Sequence, residues 1–439
     1  MFTESLGLDV VVHLLCMILE LNLDNGLKAI IKENHRVPLI ILQAFVRTGA
    51  IHEGEHLGTG ISHLLEHIIY KGPTLNRSEE EVINTLELLG NSANAYTTND
   101  HTSYYIIVSK EHFGVALELI VDCLMNSLIQ EDRFQREMGV VQREIEQDED
   151  NPDKALWRLF VENMYRVHPI KFPVIGYKNR LKSLTPEEID AYYKKKYIPH
   201  NMIFTVVGDI NAEDALQKIK SVFDAFKRKN ELSDYLPDEP PQCNKRIIVQ
   251  EMNIKAARMI IGYRTVKLSD HYKYPLDLLS SILGAGRNSL LSKLNTTKEE
   301  RIVSITSSSF TPYFVPGYFA VSATMKTDYL DDAREKILKI FSRLKTIPVK
   351  DEDLRRGKNK KISQYLFNNQ TLRDEAMELG NNALASHNFC SVDDYVSKIE
   401  SVRASQIQEA AEKYFCDDQL TVAVITPPSK SNENERKSH

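Results

Sequence analysis

This chain predicts an α+β fold built from two homologous halves, on three observations. A motif repeats at a fixed offset, strands alternate irregularly with long amphipathic helices, and a charged, proline-rich stretch separates the copies. The repeat begins with Leu184-Thr185-Pro186-Glu187-Glu188-Ile189, then Tyr197 and the apolar run Met202 to Val207. Val402 to Ile407, Phe415 and Leu420 to Ile425 answer it. Ile189 and Ile407 stand 218 residues apart, and so do Tyr197 and Phe415. Each copy reads as a capped helix running into an apolar strand. Ile40 to Val46 and Met259 to Tyr263 read as strands near the start of each half, at a similar offset. Tyr104 to Val108 and Phe319 to Thr324 are further strands, while Glu79 to Leu89, Gly114 to Met125 and Glu131 to Asp148 carry helical periodicity. Several strand pairs have connections too short for a parallel crossover, so each half is expected to be an α/β roll: a mainly antiparallel sheet with helices on one face.

The expected boundaries follow composition. A first domain spans 19–227, a linker 228–244, a second domain 245–427, and a disordered tail 428–439. The linker contains Lys229 to Pro241, polar, charged and rich in proline. Leu8 to Leu19 is apolar but broken by Asp9 and His13, and too short to span a bilayer. Nothing basic precedes it and no small-residue cleavage site follows before Glu20, so it reads as an extra segment rather than a secretory signal. With 42% hydrophobic and 26% charged residues, the composition is that of a globular protein, and a net charge of −6 gives no basic footprint for nucleic acid. The five cysteines are dispersed without a C-x-x-C pair, which argues against a disulfide framework or a cysteine zinc site. A reducing compartment, the cytoplasm, is the expected location.

The chemistry concentrates in His63-Leu64-Leu65-Glu66-His67. On a helix over Ile61 to Tyr70, the two histidines stand one turn apart on one face, a spacing at which two neutral imidazoles can hold one zinc ion. Glu66 then lies beside the metal, where it can take a proton from a water the ion activates. The order H-x-x-E-H is a zinc-peptidase signature. An amphipathic helix with histidines along its edge would read the same way.

A catalytic zinc needs a third protein ligand. The acidic helix from Phe134 to Glu146 offers Glu137 and Glu144, seven residues and two turns apart on a shared face, with Met138, Val141 and Ile145 at packed positions. Glu144 can ligate while Glu137 orients a ligand by hydrogen bonding. A solvated charged helix is the alternative.

Together these motifs resemble the pitrilysin/insulinase-type zinc peptidases, the inverzincins. H-x-x-E-H is followed by E-x6-E, with 77 residues from His67 to Glu144. Val46-Arg47-Thr48-Gly49, Gly60-Ile61-Ser62-His63, Asn94-Ala95-Tyr96-Thr97 and His101-Thr102-Ser103-Tyr104-Tyr105 also match. So do Gly284-Ala285-Gly286, Thr311-Pro312-Tyr313 and Pro316-Gly317, and the likeness covers about Leu19 to Pro427. The resemblance implies one Zn2+ on His63, His67 and Glu144, Glu66 as general base, and Glu137 as a supporting catalytic carboxylate. It also implies peptide hydrolysis in a closed chamber, of which this chain forms one half of the clam shell. Asn94, Ala95, Tyr96 and Thr97 match the edge strand that pairs with substrate backbone.

The pattern departs from the family in two places. At offset 218 from the pentad stand Ser281-Ile282-Leu283-Gly284-Ala285, with no ligand among them, as is usual for the family's second repeat. The window Asn295 to Ser304, where the family often carries an Arg and a Tyr seven residues apart, holds no such pair. A metal-free partner subunit that supplies the pair is the favoured expectation, and a homodimer the other. The missing Arg- and Ser-rich presequence favours a bacterial enzyme over a mitochondrial-type processing peptidase β subunit. A non-catalytic scaffold subunit of a larger complex is the competing class.

Overall fold

The computed structural model describes residues 10–13, 18–226, 234–284, 286, 289–295, 302–312, 314–385 and 392–428. The expected disordered tail, apart from Pro428, most of the charged start of the linker and residues 296–301 of the Arg/Tyr window lie outside them. The described residues form twelve strands and fourteen α-helices. The strands are β1 (Val10–His13), β2 (Ile18–Asn22), β3 (Lys28–Glu33), β4 (Leu39–Val46), β5 (Ala93–Thr97), β6 (Thr102–Ser109) and β7 (Met202–Gly208), then β8 (Arg246–Glu251), β9 (Ala257–Arg264), β10 (Ile302–Phe310), β11 (Tyr318–Met325) and β12 (Leu420–Thr426). The helices are α1 (Ile61–Ile69), α2 (Glu79–Leu88), α3 (Phe113–Met125), α4 (Glu131–Asp150), α5 (Pro152–Met164), α6 (Lys178–Leu181) and α7 (Pro186–Lys196), then α8 (Ala212–Phe223), α9 (Lys273–Gly284), α10 (Leu330–Thr346), α11 (Asp351–Phe367), α12 (Leu372–Leu384), α13 (Val392–Ser401) and α14 (Ala404–Tyr414).

The expected α+β architecture is present as two sheets. The first runs β1-β2-β3-β7-β4-β6-β5 and the second β10-β11-β9-β12-β8. Every ladder is antiparallel except β3 with β7 and β12 with β8. The repeat is exact in register: β3 and β8, β4 and β9, and β7 and β12 each begin 218 residues apart. Central strands β4 and β7 are apolar almost throughout and buried along nearly their whole length, as strands covered on both faces must be. The predicted cap of α7 holds, with the Thr185 hydroxyl accepting from the Glu188 amide and the Glu188 carboxylate accepting from the Thr185 amide. The apolar segment before Leu19 supplies β1, where three successive valines favour an extended backbone paired to β2.

The compact units are not contiguous in sequence. One comprises residues 1–145, 172–236 and 368–389, the other 146–171, 237–367 and 390–439. Each therefore takes a helix from the opposite half of the chain: α12 packs on β4 and β7, and α5 on β9 and β12. In the first unit, Leu42, Ala44 and Val46 face the core shared with α1 and α3, and the alternate Phe45 meets α12 on the other face. Helices thus cover both faces of the sheet, not one. The helix approaches closely because position 380 is glycine; a Cβ there would lie 2.1 Å from the Phe45 ring. The second unit reverses the arrangement, with Phe160 of α5 pressed onto Gly262 of β9, where a Cβ would lie 2.7 Å from the ring.

Candidate metal centre

All the predicted site residues fall in the first unit, around α1. This helix starts where Gly60 turns the chain at φ +74°, with the Ile175 carbonyl 2.4 Å from where a Cβ would stand, so a side chain is excluded. The buried Glu53 carboxyl accepts from the Ser62 amide at 3.1 Å and caps the first turn. Leu64, Leu65, Ile68 and Ile69 are fully buried and anchor the helix, leaving His63 and His67 on the opposite face with ring centroids 4.7 Å apart.

Helix α4 brings its carboxylates to that face. Met138, Val141 and Ile145 are buried as expected. Glu144 Oε2 lies 3.8 Å from His63 Nε2 and 3.7 Å from His67 Nε2. Glu137 Oε2 lies 3.4 Å from the other ring nitrogen of His67. One ligand atom from each of His63, His67 and Glu144 can be chosen so that all lie within 4.8 Å of one another, the one such cluster among the described residues. Zinc–ligand bonds of about 2.0–2.2 Å set tetrahedral edges of roughly 3.4 Å, so the Glu144 carboxylate, at 3.8 and 3.7 Å from the two imidazoles, would close on each by a few tenths of an ångström around an ion. Two imidazoles and a carboxylate, one imidazole held from behind by a second carboxylate, fit zinc. The Nδ1 of His63 is buried without a hydrogen-bond partner.

Protonation follows from burial and charge. Burial, with His67 beside it, drives the His63 imidazole down to about 3, so it is neutral as a ligand must be. Burial also pulls His67 down, but the bond to Glu137 and the charges of Glu144 and Glu66 outweigh it and raise the imidazole. Burial would lift Glu137, yet His67 and Arg133 together hold it below the usual carboxylate range. Glu66 is 8% exposed, and burial lifts its carboxyl despite the opposing Thr97 hydrogen bond and His67.

Strand β5 ends the sheet beside this centre. The Ile107 amide bonds the Ser92 carbonyl, so by ladder alternation Asn94 and Tyr96 face β6 and the backbone groups of Ala93, Ala95 and Thr97 point outward. Two of these are engaged from within the chain: Tyr70 donates to the Ala93 carbonyl and the Asn94 side chain accepts from the Ala95 amide. The Thr97 side chain turns to Glu66, its Oγ1 2.7 Å from Oε2.

Sequence reasoning missed three supports. Arg133 donates to the carbonyls of His67, Ile68 and Tyr70 and so caps the C-terminus of α1; its spacing of four from Glu137 was a usable signal. Glu53 and the Thr97–Glu66 bond join segments that no local pattern links. In the second unit, Ser281, Ile282 and Leu283 of α9 are buried in packing, and no metal-ligating cluster occurs among its described residues.

A family model described as Insulinase (Peptidase family M16) matches residues 28–178, and one described as Peptidase M16 inactive domain matches residues 183–361. A Bacillus subtilis strain 168 protein described as an uncharacterized zinc protease, YmxG, is 23% identical over 412 residues, 94% of this chain and 98% of that one. A probable mitochondrial-processing peptidase subunit beta of Arabidopsis thaliana is 25% identical over 417 residues, 92% of this chain and 77% of the other. In fold, the crystal structure of a protease from Helicobacter pylori superposes with a TM-score of 0.86 at 23% identity, covering 94% of this chain and 100% of that one. No described helix is long and apolar enough to cross a membrane.

Proposed function

Since the chain belongs to peptidase family M16, whose two domain models cover about three quarters of it between them, we propose that it is a zinc metalloendopeptidase acting on peptides or unfolded segments. The observation that carries this reading is the convergence of His63, His67 and Glu144, with the buried Glu66 one helical step away. Bound zinc would polarise the scissile carbonyl and acidify the attacking water. Glu66 accepts that water's proton and returns it to the leaving amine, a role suited to a carboxyl that burial lifts above its ordinary value. Glu137 keeps the His67 ring oriented. Substrate extends the sheet at β5, where the outward Ala95 carbonyl and the outward backbone groups of Thr97 offer strand pairing, with Asn94, Ala95, Tyr96 and Thr97 forming the docking strand.

The chain works as one half of a two-subunit chamber. The Asn295 to Ser304 window contains no Arg and Tyr seven residues apart, which favours a metal-free partner of the same family that supplies them. A subunit name among the relatives agrees with such pairing.

Metal analysis and a quenched-fluorescent peptide test the reading. Purified protein should hold one zinc per chain, His67→Ala should lose it, and Glu66→Gln should keep it while abolishing turnover with or without the partner. A chain without stoichiometric zinc, unaffected by His67→Ala, would instead be a scaffold subunit.

A further inference from the structure

We propose that the Thr97 hydroxyl is a positioning group for Glu66, fixing one carboxylate oxygen so that the other faces the attacking water. The inference rests on the peptidase reading and assigns the Thr97 side chain a role distinct from any backbone pairing with substrate. The geometry is direct. Thr97 Oγ1 lies 2.7 Å from Glu66 Oε2, while Oε1 has no hydrogen bond among the described residues. Thr97 has a single proton to donate and two acceptors in reach, Glu66 at 2.7 Å and the Thr102 hydroxyl at 3.4 Å. The shorter, charge-assisted bond takes it. Thr102 gives its own proton to the Thr48 carbonyl at 2.9 Å, so it does not compete for the carboxylate.

Thr97 is held firmly enough to position something else. It stands opposite Thr102 at the end of the β5–β6 ladder, and the Thr98 amide bonds the His101 carbonyl immediately after it. The contacts then lead back to α1. The Thr48 hydroxyl meets Tyr192 at 2.6 Å, and Tyr192 meets the Ser62 hydroxyl at 2.9 Å. Ser62 lies one turn before Glu66 on the same helix, so hydroxyl contacts fix α1 at both positions. A carboxylate on a flexible two-carbon stem needs such a fixed donor if its free oxygen is to meet water in one orientation.

Thr97→Val keeps the shape and removes the hydroxyl. It is expected to lower kcat roughly tenfold to a hundredfold, the worth of a hydrogen bond to a charged group, with KM within about twofold. Zinc content and melting temperature should match the parent. Thr97→Ala should behave like Thr97→Val, and Thr97→Ser, which restores the donor, should recover most of kcat. In a Glu66→Gln background, adding Thr97→Val should leave peptide binding unchanged. The proposal is overturned if Thr97→Val keeps kcat within about twofold of the parent, if Thr97→Ser is as slow as Thr97→Val, or if the loss lies in peptide binding. If Glu66→Gln itself retains turnover, the reading of Glu66 as the base has failed. If that variant is inactive while Thr97→Val is unimpaired, only the positioning role has failed.

Discussion

Replacing Arg133 with methionine should destabilise the first unit and weaken zinc binding together, because one guanidinium serves both. Arg133 is 4% exposed and donates at 2.8, 2.9 and 2.7 Å to the carbonyls of Ile68, His67 and Tyr70, which the last turn of α1 leaves without helical partners. It also bonds Glu79 at 2.6 Å and lies 3.8 Å from Glu137. Glu79 is part-exposed and keeps Arg136, so its loss counts for little. Bonds to a charged group contribute about 1.5–3 kcal/mol each, but carbonyls near the surface regain water. The net cost is then about 3–5 kcal/mol, the range for breaking a buried charged network. For a unit of this size that is a fall of roughly 10 °C in melting temperature. With Arg133 gone, Glu137 loses a cation that holds its carboxyl low, and its grip on His67 slackens. Zinc affinity should fall about tenfold to a hundredfold, as when an outer-shell partner is removed. Calorimetry on metal-stripped protein and zinc titration against a chromophoric chelator read the two effects separately. Arg133→Lys should lie between, since one ammonium cannot reach every acceptor of the planar fork. A variant that melts within about 2 °C of the parent and binds zinc equally well would refute the capping role.

Burial pushes the Glu53 carboxyl up to about 8, so the fold loses stability as pH climbs from the ordinary carboxylate range through that value. Glu53→Gln has no proton to lose; urea titrations should find it level with the parent near pH 4.5 and more stable by on the order of 5 kcal/mol above pH 8. Gly380→Ala should destabilise by about 1–3 kcal/mol, because its Cβ would meet the Phe45 ring at 2.1 Å. The same change on an exposed helix stabilises by about 1 kcal/mol, so the sign of the shift in a thermal melt tests the packing.

The parts of this protein written at short range were legible. The pentad and the Glu137/Glu144 pair obey helical spacing, so their faces could be read before their neighbours were known, and α1 and α4 do present them to one another. The 218-residue repeat reappears as equivalent strands because a strand's apolar run survives where identity does not. Contacts between distant segments were not legible. Nothing in Ala93–Thr97 says that Thr97 points to a glutamate 31 residues earlier, and Glu53 lies in a region without periodicity. Helix exchange was equally hidden. Amphipathic patterns show that α5 and α12 have a face to bury, not which sheet receives it, and linker composition marks the passage between repeats rather than the residues that pack together. Only the Gly380–Phe45 and Gly262–Phe160 fits reveal the pairing, and each needs both partners in view.

That exchange imposes an order on biosynthesis. Strand β4 leaves the ribosome near the start of translation, but the helix that covers its Phe45 face ends at Leu384. At roughly 5–20 residues per second, on the order of tens of seconds separate the two. Once β7 has emerged and joined β3 to β4, the first sheet can close one apolar face with α1 and α3 while the other waits for α12, a surface that invites chaperone binding or mispairing with a neighbouring chain. His63, His67 and Glu144 have all emerged by then, long before α12 completes the unit they stand in.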